Sequence, residues 1–265
     1  MIILLFVLFF LAAGVSLVLG IRHTLHMFQL NSYQYQAQGR YFKTHLFQTV
    51  YPVIGLVLFG VMAGGLASTS VAATTMIGIL AICYMAGLAF LYRPKKAKKK
   101  LVITARVKRL ILTTVIVALL VSILSAVLVG AARGSWWGVL AAALLVTTLS
   151  PYLVLLGNLI NKPVEKGINR WYINDARRML KSCPNLKIIG ITGSFGKTSV
   201  KYYLHTLLSA GFDVLMTPES YNTPMGVVKT VRGSLKATHE IFLCEMGARH
   251  VGDIKEICDI VDPHM

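Results

Sequence analysis

The first 164 residues of this 265-residue chain contain neither aspartate nor glutamate; all ten acidic residues lie at or after Glu165. Leu, Val, Ile, Ala and Gly dominate that stretch. A water-facing surface needs charges of both signs, so an ordinary soluble domain is excluded there, whereas a bilayer segment is not. Cysteine is also scarce. Cys83, Cys183, Cys244 and Cys258 have no metal-ligand or redox spacing, which argues against a zinc site or a disulfide scaffold and reads them as free thiols. The net charge of +17 invites a nucleic-acid reading. Thirteen of the basic residues, however, flank apolar runs, where membrane orientation and anionic lipid head groups account for them. The other fourteen face ten acidic residues, an ordinary balance. No reader motif is present, and nucleic acid is not expected as a partner.

The apolar runs predict about five membrane spans, near 1–20, 51–69, 72–92, 110–131 and 136–160. Each is long enough to cross about 30 Å of hydrocarbon at 1.5 Å per residue. The connecting segment 21–50 carries Arg22, Arg40 and Lys43, and the segment 93–109 carries nine basic residues. The opposite side has only Arg133. Basic loops stay in the cytoplasm. The N-terminus is therefore expected outside, with everything after the fifth span in the cytoplasm. Residues 1–160 read as a multi-pass α-helical membrane bundle. The first span lacks a charged leading region and has a long apolar run, so it reads as an anchor rather than a cleaved signal.

The segment Lys187-Ile-Ile-Gly-Ile-Thr-Gly-Ser-Phe-Gly-Lys-Thr198 joins an apolar strand to a glycine turn and a helix start. Such a turn cradles a polyphosphate. Backbone N–H groups around Gly193 and Gly196 point at phosphate oxygens, and the helix N-terminus adds its positive dipole end. Thr192, Ser194 and Phe195 complete the loop. Lys197 would reach the β- and γ-phosphates of ATP, and the Thr198 hydroxyl would sit on Mg²⁺. The pattern is T-G-x-x-G-K-T; the standard phosphate loop has glycine where this chain has Ile191.

Around this motif the sequence predicts an α/β unit. An amphipathic linker helix is expected over 161–184, with Ile168, Trp171, Tyr172, Ala176, Met179 and Leu180 on one side. Strands follow at 187–191, 213–217 and 240–246. Helices are expected at 198–208 (apolar side Val200, Leu204, Leu207 and Leu208), 224–235 and from 252. This alternation implies a partial P-loop domain, a parallel sheet with helices on both faces. Three strands bury little core, so 185–265 reads as the N-terminal part of a larger domain. Ligands of open α/β sheets bind beyond strand C-termini. Glu245, ending the third strand, is thereby placed to share the metal held by Thr198, although a carboxylate capping a loop would look the same in sequence.

Thr192–Thr198, the Asn222-Thr223 loop and Glu245-Met-Gly-Ala-Arg-His-Val-Gly-Asp-Ile254 together resemble the central ATPase domain of the Mur ligases. The last string is most similar to the branch that joins D-alanyl-D-alanine to a muramoyl-tripeptide. The resemblance covers 185–265. It implies an ATP-dependent amide-bond ligase of peptidoglycan precursor synthesis, acting through an acyl phosphate; the apolar spans, read separately, place it in a bacterial cell membrane. ATP and Mg²⁺ are the implied cofactors. The partners are a UDP- or lipid-linked muramoyl-peptide precursor, an amino acid or dipeptide, and membrane lipid. It assigns Lys197 to the phosphates and Thr198 and Glu245 to Mg²⁺. Asn222, Thr223 and His250 are assigned to substrate or phosphate contacts, His250 fitting a simple loop histidine equally well. Membrane spans stand where the soluble members carry a UDP-sugar-binding domain, and the 265 residues alone are not expected to ligate. A lipid II-amidating subunit and a non-catalytic nucleotide-binding scaffold are the competing readings. Transport is disfavoured because the spans hold no acidic residue.

Overall fold

Without water to satisfy them, the backbone amides of an apolar run must pair within the chain, and the N-terminal half does this as helices. The computed structural model describes residues 2–64, 71–94, 99–219, 221–248 and 251–265. The chain divides into two compact units, Met1–Lys162 and Pro163–Met265. The helices of the first are α1 (Ile2–Leu30), α2 (Tyr35–Thr44), α3 (Leu46–Gly64), α4 (Val71–Leu91) and α5 (Ala105–Arg133), followed by α6 (Ser135–Lys181).

Three helices among the described residues are long and apolar enough to cross a membrane: Ile3–Leu30, Ala105–Ala132 and Trp136–Lys181. The other two expected spans correspond to shorter described apolar stretches, Val50–Gly64 and Thr75–Leu91. Within the unit, Phe9 and Ala13 of α1 pack with Ala81, Tyr84, Met85 and Leu88 of α4 and Leu144 of α6. On α5, Leu112, Leu119, Leu120, Ile123, Leu124, Val127 and Leu128 are all more than half exposed. An apolar face of that extent suits lipid rather than water. Hydroxyls in these helices bond back to the carbonyl four residues earlier. Ser16 donates to Ala12 O at 2.6 Å, Thr114 to Leu110 O at 2.7 Å and Thr148 to Leu144 O at 2.7 Å. This back-bonding to the residue four earlier is the local partner that a helix offers Ser and Thr hydroxyls.

Two features here differ from the sequence reading. The segment 21–50, expected as a connection, is largely helical: α1 continues to Leu30 and α2 follows. The Asn158 amide donates to the Tyr35 hydroxyl at 2.9 Å, tying α2 to α6. The expected separate linker is also not a separate element. Its residues continue α6 without a break through Lys181, although one proline there has no N–H to give to the helical ladder. Pro163 lies inside it.

The second unit contains β1 (Lys187–Ile191), α7 (Lys197–Leu208), β2 (Val214–Met216), α8 (Pro224–Ser234), β3 (Ile241–Glu245) and α9 (Asp253–Val261). The sheet is parallel, in the order β1-β3-β2. Ile191 pairs with Glu245, and Met216 with Leu243, so the three strands end along one edge. Strand β3 is buried at every position, as a central parallel strand covered on both faces must be. Phe242 and Cys244 join Ala176 and Leu180 of α6, Val227, Val228 and Val231 of α8, and Ile257, Ile260 and Val261 of α9. On the other face Ile241 and Leu243 meet Leu204 and Leu208 of α7. Each large apolar side chain buried in these layers contributes roughly 1.5–3 kcal/mol. Helices thus cover both faces. His264 and Met265 run beside β1, His264 N donating to Ile188 O at 2.9 Å and Gly190 N to Met265 O at 2.7 Å.

One face assignment changes. On α7, Val200 and Leu207 are solvent-facing, 46 % and 72 % exposed, while Lys201 is fully buried. The sheet lies under the line Lys201, Leu204 and Leu208. Hydrophobic spacing alone misplaced it because a lysine occupies one of the inward positions.

Candidate active site

Residues that follow the C-terminal ends of β1 and β2 meet the end of β3 at Glu245. Gly193 and Gly196 have φ of +149° and +76°, backbone that a residue with a Cβ adopts only at a cost. They let the chain turn sharply from β1 into α7. Gly196 is the N-cap and makes no side-chain cap, so the first amides of α7 are left for solvent or an anion. No acidic residue sits in that first turn. Thr192, Gly193, Ser194, Phe195 and Gly196 are all exposed, Phe195 at 95 %. The Lys197 ammonium curls over the loop, donating to Gly193 O at 2.5 Å and Ser194 O at 3.4 Å.

Glu245 is 1 % exposed and heavily bonded. The Thr198 hydroxyl lies 3.2 Å from each carboxylate oxygen. The Asn222 amide donates to Oε1 at 3.3 Å, and the Lys201 ammonium to Oε2 at 2.8 Å. The Glu245 backbone N–H donates to the Thr217 hydroxyl at 3.0 Å. Gly247 permits the Asn222 approach. A Cβ there would lie 2.7 Å from Asn222 Cγ, and Gly247 N donates to Asn222 O at 2.7 Å. The glycine of the Glu-Met-Gly string therefore holds the second loop against the third.

Thr198, Asn222 and Glu245 are thus brought together, with Lys197 on the adjoining turn. Thr223 is not in this cluster: its hydroxyl accepts from Gly226 N at 3.3 Å and caps α8, which begins with Pro224. His250 lies outside the described residues. Lys201 and Thr217 were missed from sequence. The only signal for Lys201 was its place three residues after Thr198, which on a helix puts both on one face. Cys244 is adjacent to Glu245 yet excluded as a nucleophile. Burial, helped by Cys258 and Glu245, pushes its thiol up to about 12, and the thiolate is the reactive form.

The donor set suits a hard cation. A carboxylate and a hydroxyl oxygen match Mg²⁺, which takes one or two carboxylates and completes its shell with water and substrate phosphates. Among the described residues no group of three or more His, Cys, Asp or Glu side chains forms a metal cage. A cation here would therefore depend on a phosphate partner, and the uncapped helix start beside Thr198 is where one would bind.

Comparison with known proteins gives the class first. Residues 191–265 match the family described as the Mur ligase middle domain, the stretch that holds the glycine turn, both loops and Glu245. Curated relatives over the same region are UDP-N-acetylmuramoyl-tripeptide–D-alanyl-D-alanine ligases. That of Treponema pallidum is 34 % identical over 84 residues, 32 % of this chain and 18 % of the relative. That of Mycobacterium tuberculosis is 41 % identical over 78 residues, 29 % and 15 %. That of Synechocystis is 38 % identical over 78 residues, 29 % and 17 %. The chain spans less than a fifth of the length of these relatives. No solved structure matches.

Proposed function

We propose that this chain carries the nucleotide site of a membrane-anchored, ATP-dependent ligase that joins D-alanyl-D-alanine to a muramoyl-tripeptide during peptidoglycan precursor synthesis. The observation that supports it most is the convergence at 3.2–3.3 Å of Thr198 of α7, Asn222 of the loop after β2 and Glu245 at the end of β3, all within a Mur ligase-like segment. Lys197 and the first amides of α7 would hold the β- and γ-phosphates, and Thr198 and Glu245 would hold Mg²⁺. That ion, when bound, neutralises charge on the phosphates. The tripeptide carboxylate oxygen attacks the γ-phosphorus, the β,γ P–O bond breaks and ADP leaves. The dipeptide amine then attacks the acyl carbon, the C–O bond to phosphate breaks, and inorganic phosphate leaves as the amine loses a proton. This chain's residues contribute positioning and charge, the terms that dominate phosphoryl transfer.

The three long apolar helices, the shorter pair and the basic segments 21–50 and 93–109 support a multi-pass anchor of up to five spans. The N-terminus lies outside and the nucleotide unit faces the cytoplasm, where ATP is found. The precursor would then be taken at the membrane surface, in UDP- or lipid-linked form. The test is amide formation and ADP release by the full-length gene product in detergent, with each precursor and D-alanyl-D-alanine. Lys197→Ala should lower turnover about a hundredfold or more with unchanged folding, since its ammonium bonds only exposed loop carbonyls. Undiminished turnover in that variant would overturn the reading. A strict requirement for the UDP form would remove its lipid-linked version.

A further inference from the structure

Lys201 is fully buried, and so is its partner: the two side chains of the Lys201–Glu245 pair are 0 % and 2 % exposed. Taking two charges out of water is costly, and an apolar pair of similar size commonly stabilises a fold better. The inward face of α7 otherwise carries Leu204 and Leu208, so a leucine at 201 would serve packing alone. The lysine has two bonds, and they reach two different segments. Nζ donates to Glu245 Oε2 at 2.8 Å and to the Glu219 carbonyl at 2.6 Å. Glu219 itself adopts φ of +43°, a left-handed backbone unusual for a residue with a side chain, and this turns its carbonyl to the ammonium. Lys201 therefore ties α7, the loop after β2 and the end of β3 at one nitrogen.

Resting on the function proposed above, we infer that Lys201 is a positioning residue for the Glu245 carboxylate. It claims Oε2 with a short charge-assisted bond. Thr198 is equidistant from both oxygens, so Oε1, which has no ammonium and otherwise only the 3.3 Å Asn222 contact, is the oxygen left available to the cation. Without the ammonium the carboxylate loses both its counter-charge and the bond that fixes its rotation. Mg²⁺ would then add little to nucleotide affinity, while the glycine turn and Lys197, which do not touch Lys201, would still bind phosphates.

The measurement is affinity of the detergent-solubilised full-length protein for a fluorescent ATP analogue, in EDTA and across a Mg²⁺ titration. For Lys201→Met the affinity in EDTA should stay within about twofold of wild type, and the enhancement by Mg²⁺ should fall at least tenfold. Lys201→Arg should recover most of it. A folded Lys201→Met protein with wild-type Mg²⁺ enhancement overturns the inference, as does any gain in that enhancement. If Lys201→Met does not fold, as judged by thermal melting, Lys201→Gln carries the test. It keeps a donor for the Glu219 carbonyl but not the charge, and the same loss is expected, wild-type behaviour again being fatal. Absence of Mg²⁺-dependent binding in the wild-type protein is a different failure, since it removes the proposed function itself.

Discussion

The two units handle polar groups in opposite ways. In Met1–Lys162 there is no side-chain carboxylate, and hydroxyls such as those of Ser16 and Thr114 donate to carbonyls of their own helices. In Pro163–Met265 a lysine and a glutamate are buried together, and the carboxylate gathers three donors from two segments, α7 and the loop after β2. The first arrangement minimises what a low-dielectric surrounding would penalise. The second accepts that penalty at one point, and a fold does so where charge is used rather than where stability is needed.

This contrast can be broken from either side. The largest expected effect is Glu245→Ala, which leaves the Lys201 ammonium buried without its counter-charge. Loss of one partner from such a pair costs about 3–5 kcal/mol, read as a lower denaturation midpoint of the second unit, with Glu245→Gln milder. An unchanged midpoint would mean that the pair is not buried as described. Next is Leu124→Asp on the exposed apolar face of α5. If that face meets lipid, the substitution costs about 2.5–3.5 kcal/mol at mid-helix, and the fraction of protein resisting alkaline extraction from membranes should drop. Full retention would count against a lipid-facing α5. Thr223→Ala sharpens the picture on a smaller scale. As a helix cap it should lower stability by about 1 kcal/mol and leave nucleotide affinity alone; a large loss of affinity with no change in melting would return Thr223 to the site.

The smallest effect concerns Cys244. Its thiol is raised from an ordinary 9.0 to about 12 by burial, so the folded state favours the protonated form. The associated stability is complete below pH 9 and declines as pH rises from there toward 12, because only the unfolded chain ionises readily. At pH 8, alkylation of the native protein should spare Cys244 and reach it only after denaturation. Rapid native labelling would show that β3 is not the covered central strand.

The elements of the second unit were legible because each has a local cause. Ile188, Ile189 and Ile191 form a short apolar run, Thr223-Pro224 starts a helix, and the glycines around 193–196 force a turn. The match to the Mur ligase middle domain starts at Ile191 and takes in the glycine turn and Thr223-Pro224. The first unit was legible as apolar and helical. The helicity of 35–44 was not, because a polar residue, Gln38, takes the buried position there and no apolar period marks the helix. At the candidate site, Thr198, Asn222 and Glu245 are distant in sequence; the strand-end rule linked Glu245 to Thr198 beforehand, and only family resemblance added Asn222. The roles of Lys201 and Thr217 had no signal of that kind.

Sequence alone determined which half is apolar and free of acidic residues, where the chain turns and which residue types are present that could bind phosphate and a hard cation. Those properties follow from composition and from the conformational limits of single residues. Tertiary structure decided which face of α7 is inward, that Gly247 admits Asn222, and that Lys201 rather than an apolar side chain lies against Glu245. Such choices depend on distances between segments dozens of residues apart, which parallel pairing of β1 and β2 on β3 brings to one edge.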